Sequence, residues 1–118
     1  MEIPGRAWPK LNLNILGITL ARGGSKSIKN KNITLINNYP LIYYTIKEAK
    51  KSKFLSNYIV STDSKKIKKI CNKYGVDTPF LRPKKYSSDK SSSASAIKHS
   101  LIMSEKFYDK KFDYIIEL

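Results

Sequence analysis

A glycine-rich, strongly cationic segment at residues 21–32 has the composition of a phosphate-binding loop. It reads Ala-Arg-Gly-Gly-Ser-Lys-Ser-Ile-Lys-Asn-Lys-Asn, and the adjacent Gly23 and Gly24 let backbone N–H groups approach an anionic ligand closely. Its four cationic side chains belong to Arg22, Lys26, Lys29 and Lys31. These groups suit a polyphosphate, although a flexible basic surface loop remains an alternative from the spacing alone.

Two common nucleotide-binding motifs are excluded for this segment. A Walker P-loop needs glycine where the chain has Leu20 and Ser25, and no Gly-x-Gly-x-x-Gly dinucleotide fingerprint occurs. The polyphosphate interpretation therefore requires a different kind of phosphate loop.

Hydrophobic periodicity predicts strands that alternate with helices along the chain. The predicted strands are residues 14–20, 57–62, 78–81 and 112–118, and the predicted helices are residues 41–51, a helix from Asp63 or Ser64 to Gly75, and residues 93–107. This alternation indicates an α/β fold, Rossmann-like, with a mostly parallel sheet and helices on both faces. Ligands of such sheets bind at the carboxyl ends of the strands, so residues 21–32, 62–64 and 82–93 are expected to meet there.

Length and composition are typical of one globular domain. The chain has 118 residues with 41% hydrophobic and 27% charged residues, and we assign residues 1–13 to an N-terminal extension and 14–118 to the domain. Its apolar runs are shorter than the roughly 18 residues that a membrane span needs, and the first residues do not resemble a signal peptide. A cytoplasmic protein is expected, and the single Cys71 agrees with a reducing compartment.

A net charge of +14, from 23 basic and 9 acidic residues, raises the question of a polyanionic partner. Only Arg6, Arg22 and Arg82 of these basic residues are arginine, whereas nucleic-acid surfaces favour arginine for bidentate contacts. The composition favours solvated lysines over a nucleic-acid surface, and a basic polyanion-binding module without turnover stays as the alternative.

The first loop resembles that of the acylneuraminate cytidylyltransferases, whose loop reads Ala-Arg-x-x-Ser-Lys-Gly-[Ile/Leu]-Pro-x-Lys-Asn. Seven positions fall in register: Ala21, Arg22, Ser25, Lys26, Ile28, Lys31 and Asn32. Ser27 and Lys29 depart from the pattern. Further matches follow in the order of the family: residues 59–63, 81–83, 88–89, 91–95 and 99–101. The match breaks off before the Gln-Pro-Thr-Ser-Pro-type motif expected next, so we expect a truncated member.

The resemblance implies a nucleotide-diphospho-sugar transferase-like fold and the transfer of CMP from CTP to the anomeric hydroxyl of an acidic nine-carbon sugar, with release of pyrophosphate. It implies Arg22 and Lys26 as catalytic residues. The CTP-binding set that it implies is Arg22, Gly23, Gly24, Ser25, Lys26, Lys31, Asn32, Arg82, Ser91 and Ser93. Arg82, Ser91 and Ser93 match positions that hold the cytidine in relatives.

The resemblance also implies Mg²⁺, with ligands that this chain does not contain, and a homodimer for the full-length protein. A cytidylyltransferase for another acidic sugar, such as a legionaminic or pseudaminic acid, is the nearest alternative. We expect the 118-residue chain alone to bind nucleotide weakly and not to turn over.

Four further residues are expected to have structural roles. Asp63 is interpreted as a helix N-cap rather than a metal ligand, and Asp89 as a turn-former. His99, inside a helix, is expected to make a structural hydrogen bond rather than act in acid–base catalysis. Cys71 belongs to an apolar stripe and is expected in the core.

Overall fold

The computed structural model describes residues 13–23, 31–88 and 92–118. In chain order its elements are β1 (Ile15–Leu20), a 3₁₀ turn (Lys31–Ile33), β2 (Leu35–Ile36), β3 (Tyr39–Pro40), α1 (Leu41–Lys51), β4 (Asn57–Ser61), α2 (Lys65–Lys73), a 3₁₀ turn (Lys84–Tyr86), α3 (Ser93–Tyr108) and β5 (Tyr114–Glu117). The predicted alternation of strands and helices is confirmed, with bounds that differ by a few residues.

The main sheet is parallel, as predicted, with β1 between β4 and β5. Thr19 of β1 pairs with Val60 of β4, and Ile18 pairs with Glu117 of β5. Because neighbouring strands run in the same direction, their carboxyl ends lie at one edge of the sheet. That edge is where the loops after β1 and β4 leave the sheet.

Helices cover both faces of this sheet. On one face, Val60 packs with buried side chains of α1 and α2, which are Ile42, Ile46, Ile67 and Cys71. On the other face, Leu16, Ile18 and Ile59 pack with Ile97 and Leu101 of α3. Ile59 and Val60 are neighbours in β4, so the alternation of side chains along a strand sends one to each face. Cys71 is fully buried, which confirms its place in the core.

The ends of α2 follow from local chemistry. Ser64 is the N-cap, and its Oγ accepts a hydrogen bond from the Ile67 amide at 3.2 Å. Gly75 has a φ of 78°, a left-handed conformation that costs glycine little, and it ends the helix as predicted.

The prediction of a strand at residues 78–81 is wrong. Only isolated parallel bridges join this segment to the sheet, between Ile59 and Asp77 and between Thr62 and Leu81. Pro79 has no amide hydrogen to donate to a ladder, which accounts for the interruption. Phe80 still contributes a buried side chain to the core on the α3 side.

A small hairpin was not predicted. Strands β2 and β3 pair antiparallel across Asn37 and Asn38, whose φ values of 52° and 70° suit a tight hairpin turn. In the described part of the chain, no helix is long and apolar enough to cross a membrane. The division of the chain at residue 13 stays a prediction.

Candidate nucleotide site

Three polypeptide segments meet at the carboxyl edge of the sheet. The Ala21 amide, just after β1, donates to the Ser61 carbonyl at 2.9 Å. The Arg82 amide donates to the Thr62 carbonyl at 2.8 Å. These two backbone hydrogen bonds place the start of the cationic loop, the residues after β4 and Arg82 side by side. The described starts of the three loops therefore meet, as predicted.

Asp63 joins the cationic loop to the end of β4. Its Oδ1 accepts a hydrogen bond from the Gly23 amide at 2.8 Å. The interpretation of Asp63 as the helix N-cap is wrong, because Ser64 has that role. Asp63 instead fixes the first glycine of the loop. A carboxylate directly after a buried strand was the only signal in the sequence, and capping chemistry explained it equally well.

Gly23 lies in close contact with the residues after β4. A Cβ added at this position would lie 3.0 Å from Cβ of Ser64 and 3.6 Å from Oδ1 of Asp63. Such a contact is tighter than ordinary packing, so a side chain here would push the two segments apart. Glycine therefore serves close approach at this position, as the composition of the loop suggested.

Asn32 and Lys31 lie at the end of the cationic loop. Nδ2 of Asn32 donates to the Arg22 carbonyl at 3.2 Å, so the two ends of the loop are tied together. Lys31 begins a 3₁₀ turn and is exposed. The structure thus brings Arg22, Gly23 and Asn32 together, and places Lys31 beside them in the chain.

Arg82 is a buried cation. It is only 4% exposed, and its Nε and Nη2 have no hydrogen-bond partner among the described residues. Burial lowers the pKa of Arg82, Asp63 opposes that shift, and Arg22 adds to it. A buried guanidinium with unpaired donors is costly, and such groups are typical of sites that receive a polar ligand.

The remaining predicted site residues divide into two groups. Ser93 is the first residue of α3, next to the N-cap Ser92, and is exposed. Gly24, Ser25, Lys26 and Ser91 lie outside the described residues, as does Asp89. Their roles stay predictions.

His99 lies behind the segment that carries Arg82. Its ring is 5.1 Å from that of Phe80 and 5.0 Å from that of Tyr86, measured between centroids. Its Nδ1 is buried and has no hydrogen-bond partner in the described part of the chain. The expected structural hydrogen bond is therefore not found at this nitrogen, and aromatic contacts hold the ring instead.

Potential metal ligands are sparse. Across residues 13–23, 31–88 and 92–118, no group of three or more His, Cys, Asp or Glu side chains is placed to hold a metal ion. Asp63, which lies at the site, already accepts the Gly23 amide.

Comparisons with known proteins agree with the motifs. The chain is 41% identical over 104 residues to post-translational flagellin modification protein B of Campylobacter coli. The aligned region covers 88% of this chain and 44% of that protein. It is 36% identical to CMP-N,N'-diacetyllegionaminic acid synthase of Campylobacter jejuni, with the same coverage of 88% and 44%. N-acylneuraminate cytidylyltransferase of Escherichia coli is 41% identical over 77% of this chain and 22% of its own length. The chain thus spans less than half the length of these relatives.

A solved structure shows the same fold. CMP:2-keto-3-deoxy-manno-octonic acid synthetase, complexed with CTP, superposes with a TM-score of 0.67 at 17% identity, over 88% of this chain and 39% of that one. The likeness supports the nucleotidyltransferase type of α/β fold. A family model described as Cytidylyltransferase matches residues 16–109, most of the chain, and with the relatives above it shows that the chain belongs to the cytidylyltransferase family.

Proposed function

We propose that this chain forms the CTP-binding part of an enzyme that transfers CMP from CTP to an acidic nine-carbon sugar. The observation that carries the proposal is the buried Arg82, whose Nε and Nη2 have no hydrogen-bond partner among the described residues, next to a loop whose Gly23 amide bonds to Asp63. Membership of the cytidylyltransferase family supports the chemistry. The relatives named for legionaminic and acylneuraminic acids support an acidic sugar as the acceptor class.

The cationic loop is proposed to bind the triphosphate. In the reaction the anomeric hydroxyl of the sugar loses its proton to water and its oxygen attacks the α-phosphorus. The bond from that phosphorus to the bridging oxygen breaks, and pyrophosphate leaves with the bond's electrons. Negative charge then grows on the leaving group. Arg22 and Lys26, assisted by N–H groups of residues 23–25, would stabilise that charge by fixed electrostatics. Lys31 and Asn32 are proposed to hold the nucleotide at the end of the loop.

Arg82, Ser91 and Ser93 are proposed to read the base. The cytosine edge offers two adjacent acceptors, O2 and N3, whereas uracil carries a hydrogen on N3. A guanidinium offers only donors, so it pairs with the two acceptors of cytosine and opposes the N3–H of uracil. A buried guanidinium discriminates more strongly than an exposed one, since an unmatched donor there has no water to bond.

Mg²⁺ is the metal that the family resemblance implies. The described residues provide no cluster that fits it, so we assign no ligand in this chain and derive no step through it. A homodimer and a cytoplasmic location are further proposals that follow from the resemblance.

Nucleotide selectivity tests the proposal. Binding of CTP, UTP, ATP and GTP is measured by NMR shift perturbation, which detects weak affinities, at two salt concentrations. We expect CTP to bind most tightly and to shift the Gly23 amide. Binding of duplex DNA is measured under the same conditions. Equal affinities for all four nucleotides, together with a DNA affinity that falls steeply with salt, would instead establish the polyanion-binding alternative.

A parallel assay supplies CTP, Mg²⁺ and an acidic nine-carbon sugar and measures pyrophosphate. We expect no release above background from the 118-residue chain alone. Release at the rate of ordinary enzymes, about 1–10³ per second, would show that these residues suffice for the complete site.

A further inference from the structure

The segment that carries Arg82 folds around the ring of His99. Phe80 meets this ring edge-on, at an interplanar angle of 84°, and Tyr86 lies across it at 30°. Both contacts come from the same short stretch of chain, on either side of Arg82. The imidazole of His99 in α3 thus packs against the segment on both sides of Arg82.

The same place holds unpaired polar atoms of opposite character. Nδ1 of His99 and the Nε and Nη2 atoms of Arg82 are all buried, and none has a hydrogen-bond partner within the described residues. A neutral imidazole offers one nitrogen as an acceptor, and a guanidinium offers donors only. The structure shows no hydrogen bond between these atoms, so the acceptor of His99 and the donors of Arg82 are complementary only through a bridging polar group.

The charge of His99 is fixed by its surroundings. Burial is the main cause that lowers its pKa, and the cationic Arg82 and Lys85 lower it further. Both charged groups belong to the segment that packs against the ring, whose other titratable members are Lys84 and Tyr86. His99 is consequently neutral at pH 7, and a proton on it would place a further positive charge against Arg82.

We propose that His99 is a positioning residue that sets the preference for cytosine through Arg82. The neutral imidazole holds the segment in place by its two ring contacts, and it offers its free nitrogen to the guanidinium side. This inference rests on the proposed function, because it takes Arg82 as the residue that reads the base. A role in packing alone would need the ring and not its nitrogen.

Two substitutions separate these roles. His99→Phe keeps a ring between Phe80 and Tyr86 but removes both nitrogens. His99→Asn loses the ring but keeps a polar group near the position of Nδ1. The ratio of the CTP and UTP dissociation constants is measured for each, with Lys98→Ala as the control, since Lys98 is an exposed neighbour on α3.

We expect His99→Phe to reduce the preference for CTP over UTP, measured as the ratio of their dissociation constants, by about fivefold to tenfold. This is the size of one hydrogen bond. His99→Asn should reduce this preference by less than His99→Phe does, because it loses the ring contacts but keeps a polar group, and Lys98→Ala should leave the preference unchanged. The ratio of the CTP and CMP dissociation constants should stay constant in all three variants, because none of them changes the phosphate loop. Full selectivity in His99→Phe would overturn the inference.

An NMR measurement without nucleotide provides a second, independent test. The Nε–H signal of Arg82 is followed while His99 is titrated in the wild-type chain. We expect this signal to shift with the protonation of His99, and to stay constant over the same range in His99→Asn. If the Arg82 signal of the wild-type chain does not shift as His99 titrates, the inference is overturned. This outcome does not depend on whether a variant folds.

Arg82→Ala separates this inference from the proposed function. If Arg82→Ala leaves the CTP-to-UTP ratio unchanged, Arg82 does not read the base and that part of the proposed function fails. If Arg82→Ala reduces the preference for CTP over UTP and His99→Phe does not, only the role of His99 is refuted.

Discussion

The backbone amide of Gly23 donates a hydrogen bond to Oδ1 of Asp63 at 2.8 Å, across 40 residues of sequence. This bond ties the start of the cationic loop to the end of β4. The same carboxylate acts on the buried Arg82, whose pKa it raises against the larger effect of burial. Asp63 is thus shared by the proposed phosphate and base regions of the site.

Asp63→Ala is expected to weaken CTP binding by roughly tenfold, because a hydrogen bond to a charged group contributes about 1.5–3 kcal/mol. Removing the negative charge of Asp63 strengthens the binding of an anionic ligand, but by about 1 kcal/mol or less near water. Asp63→Asn, which keeps an acceptor and removes the charge, should therefore bind CTP at least as well as wild type. Calorimetric titration with CTP measures both variants.

Asp113→Ala is a matched control for Asp63→Ala. Oδ2 of Asp113 accepts the Asn14 amide at 2.8 Å, an equivalent bond that lies at the opposite end of β1. It should lower stability similarly and leave CTP affinity unchanged. Equal losses of CTP affinity in the two alanine variants would show that Asp63 has no specific role in the site.

Lys26→Ala should weaken binding of CTP far more than binding of cytidine, because it removes a charge where the triphosphate is proposed to lie. A loss of about tenfold or more for CTP is expected, with cytidine nearly unaffected. Lys53→Ala is the control, since Lys53 is exposed and precedes β4, at the other edge of the sheet. Equal losses for CTP and cytidine contradict the assignment.

Arg82→Ala should reduce the difference in affinity between CTP and UTP, because the donors proposed to read the base are gone. If selectivity persists in competition binding, the base is read elsewhere.

Arg82→Met should raise the unfolding temperature and abolish the preference for CTP over UTP. An apolar side chain of similar length avoids the cost of a buried guanidinium whose Nε and Nη2 lack partners among the described residues. Thermal unfolding measures the effect. A clear fall in unfolding temperature would mean that Arg82 stabilises the fold and is not held there at a cost.

Stability should fall as the pH rises above 9, because burial raises the pKa of the Cys71 thiol from 9.0 to about 12. The unfolded chain loses this proton near pH 9 while the folded chain keeps it, so alkaline solution favours unfolding up to the folded pKa. Burial also raises the pKa of Tyr58 to about 12, which adds the same trend above pH 10.

Urea unfolding between pH 8 and 10 isolates the contribution of Cys71. Cys71→Ala should be less stable than wild type at pH 8, since it leaves a cavity, but its stability should depend less on pH. Parallel pH profiles for the two proteins would show that Cys71 does not titrate differently in the folded state.

Most elements of the fold could be predicted because periodicity is a local property. The apolar stripe of α2 and the placement of Ile59 and Val60 on opposite faces of the sheet follow from which face each residue occupies in a regular helix or strand. The spacing of residues 41–51 predicted α1 with the bounds that the structure has. The prediction failed at residues 78–81, where one proline mattered more than the apolar composition.

The sequence alone also predicted the candidate site as a set of loops. Arg22, Gly23, Asn32 and Arg82 were singled out by their types and by the family pattern, and the structure brings the segments that carry them to one edge of the sheet. Parallel strands require this, because the loops that follow their carboxyl ends emerge on one side.

Only the tertiary structure decided what these residues contact. Asp63 and Gly23 are 40 positions apart, and no local pattern distinguishes a carboxylate that caps its own helix from one that accepts a distant amide. The burial of Arg82 and the aromatic contacts of His99 likewise depend on how α3 packs against the segment before it. Local geometry sets the face on which a side chain lies, whereas its partner depends on packing between segments far apart in the chain.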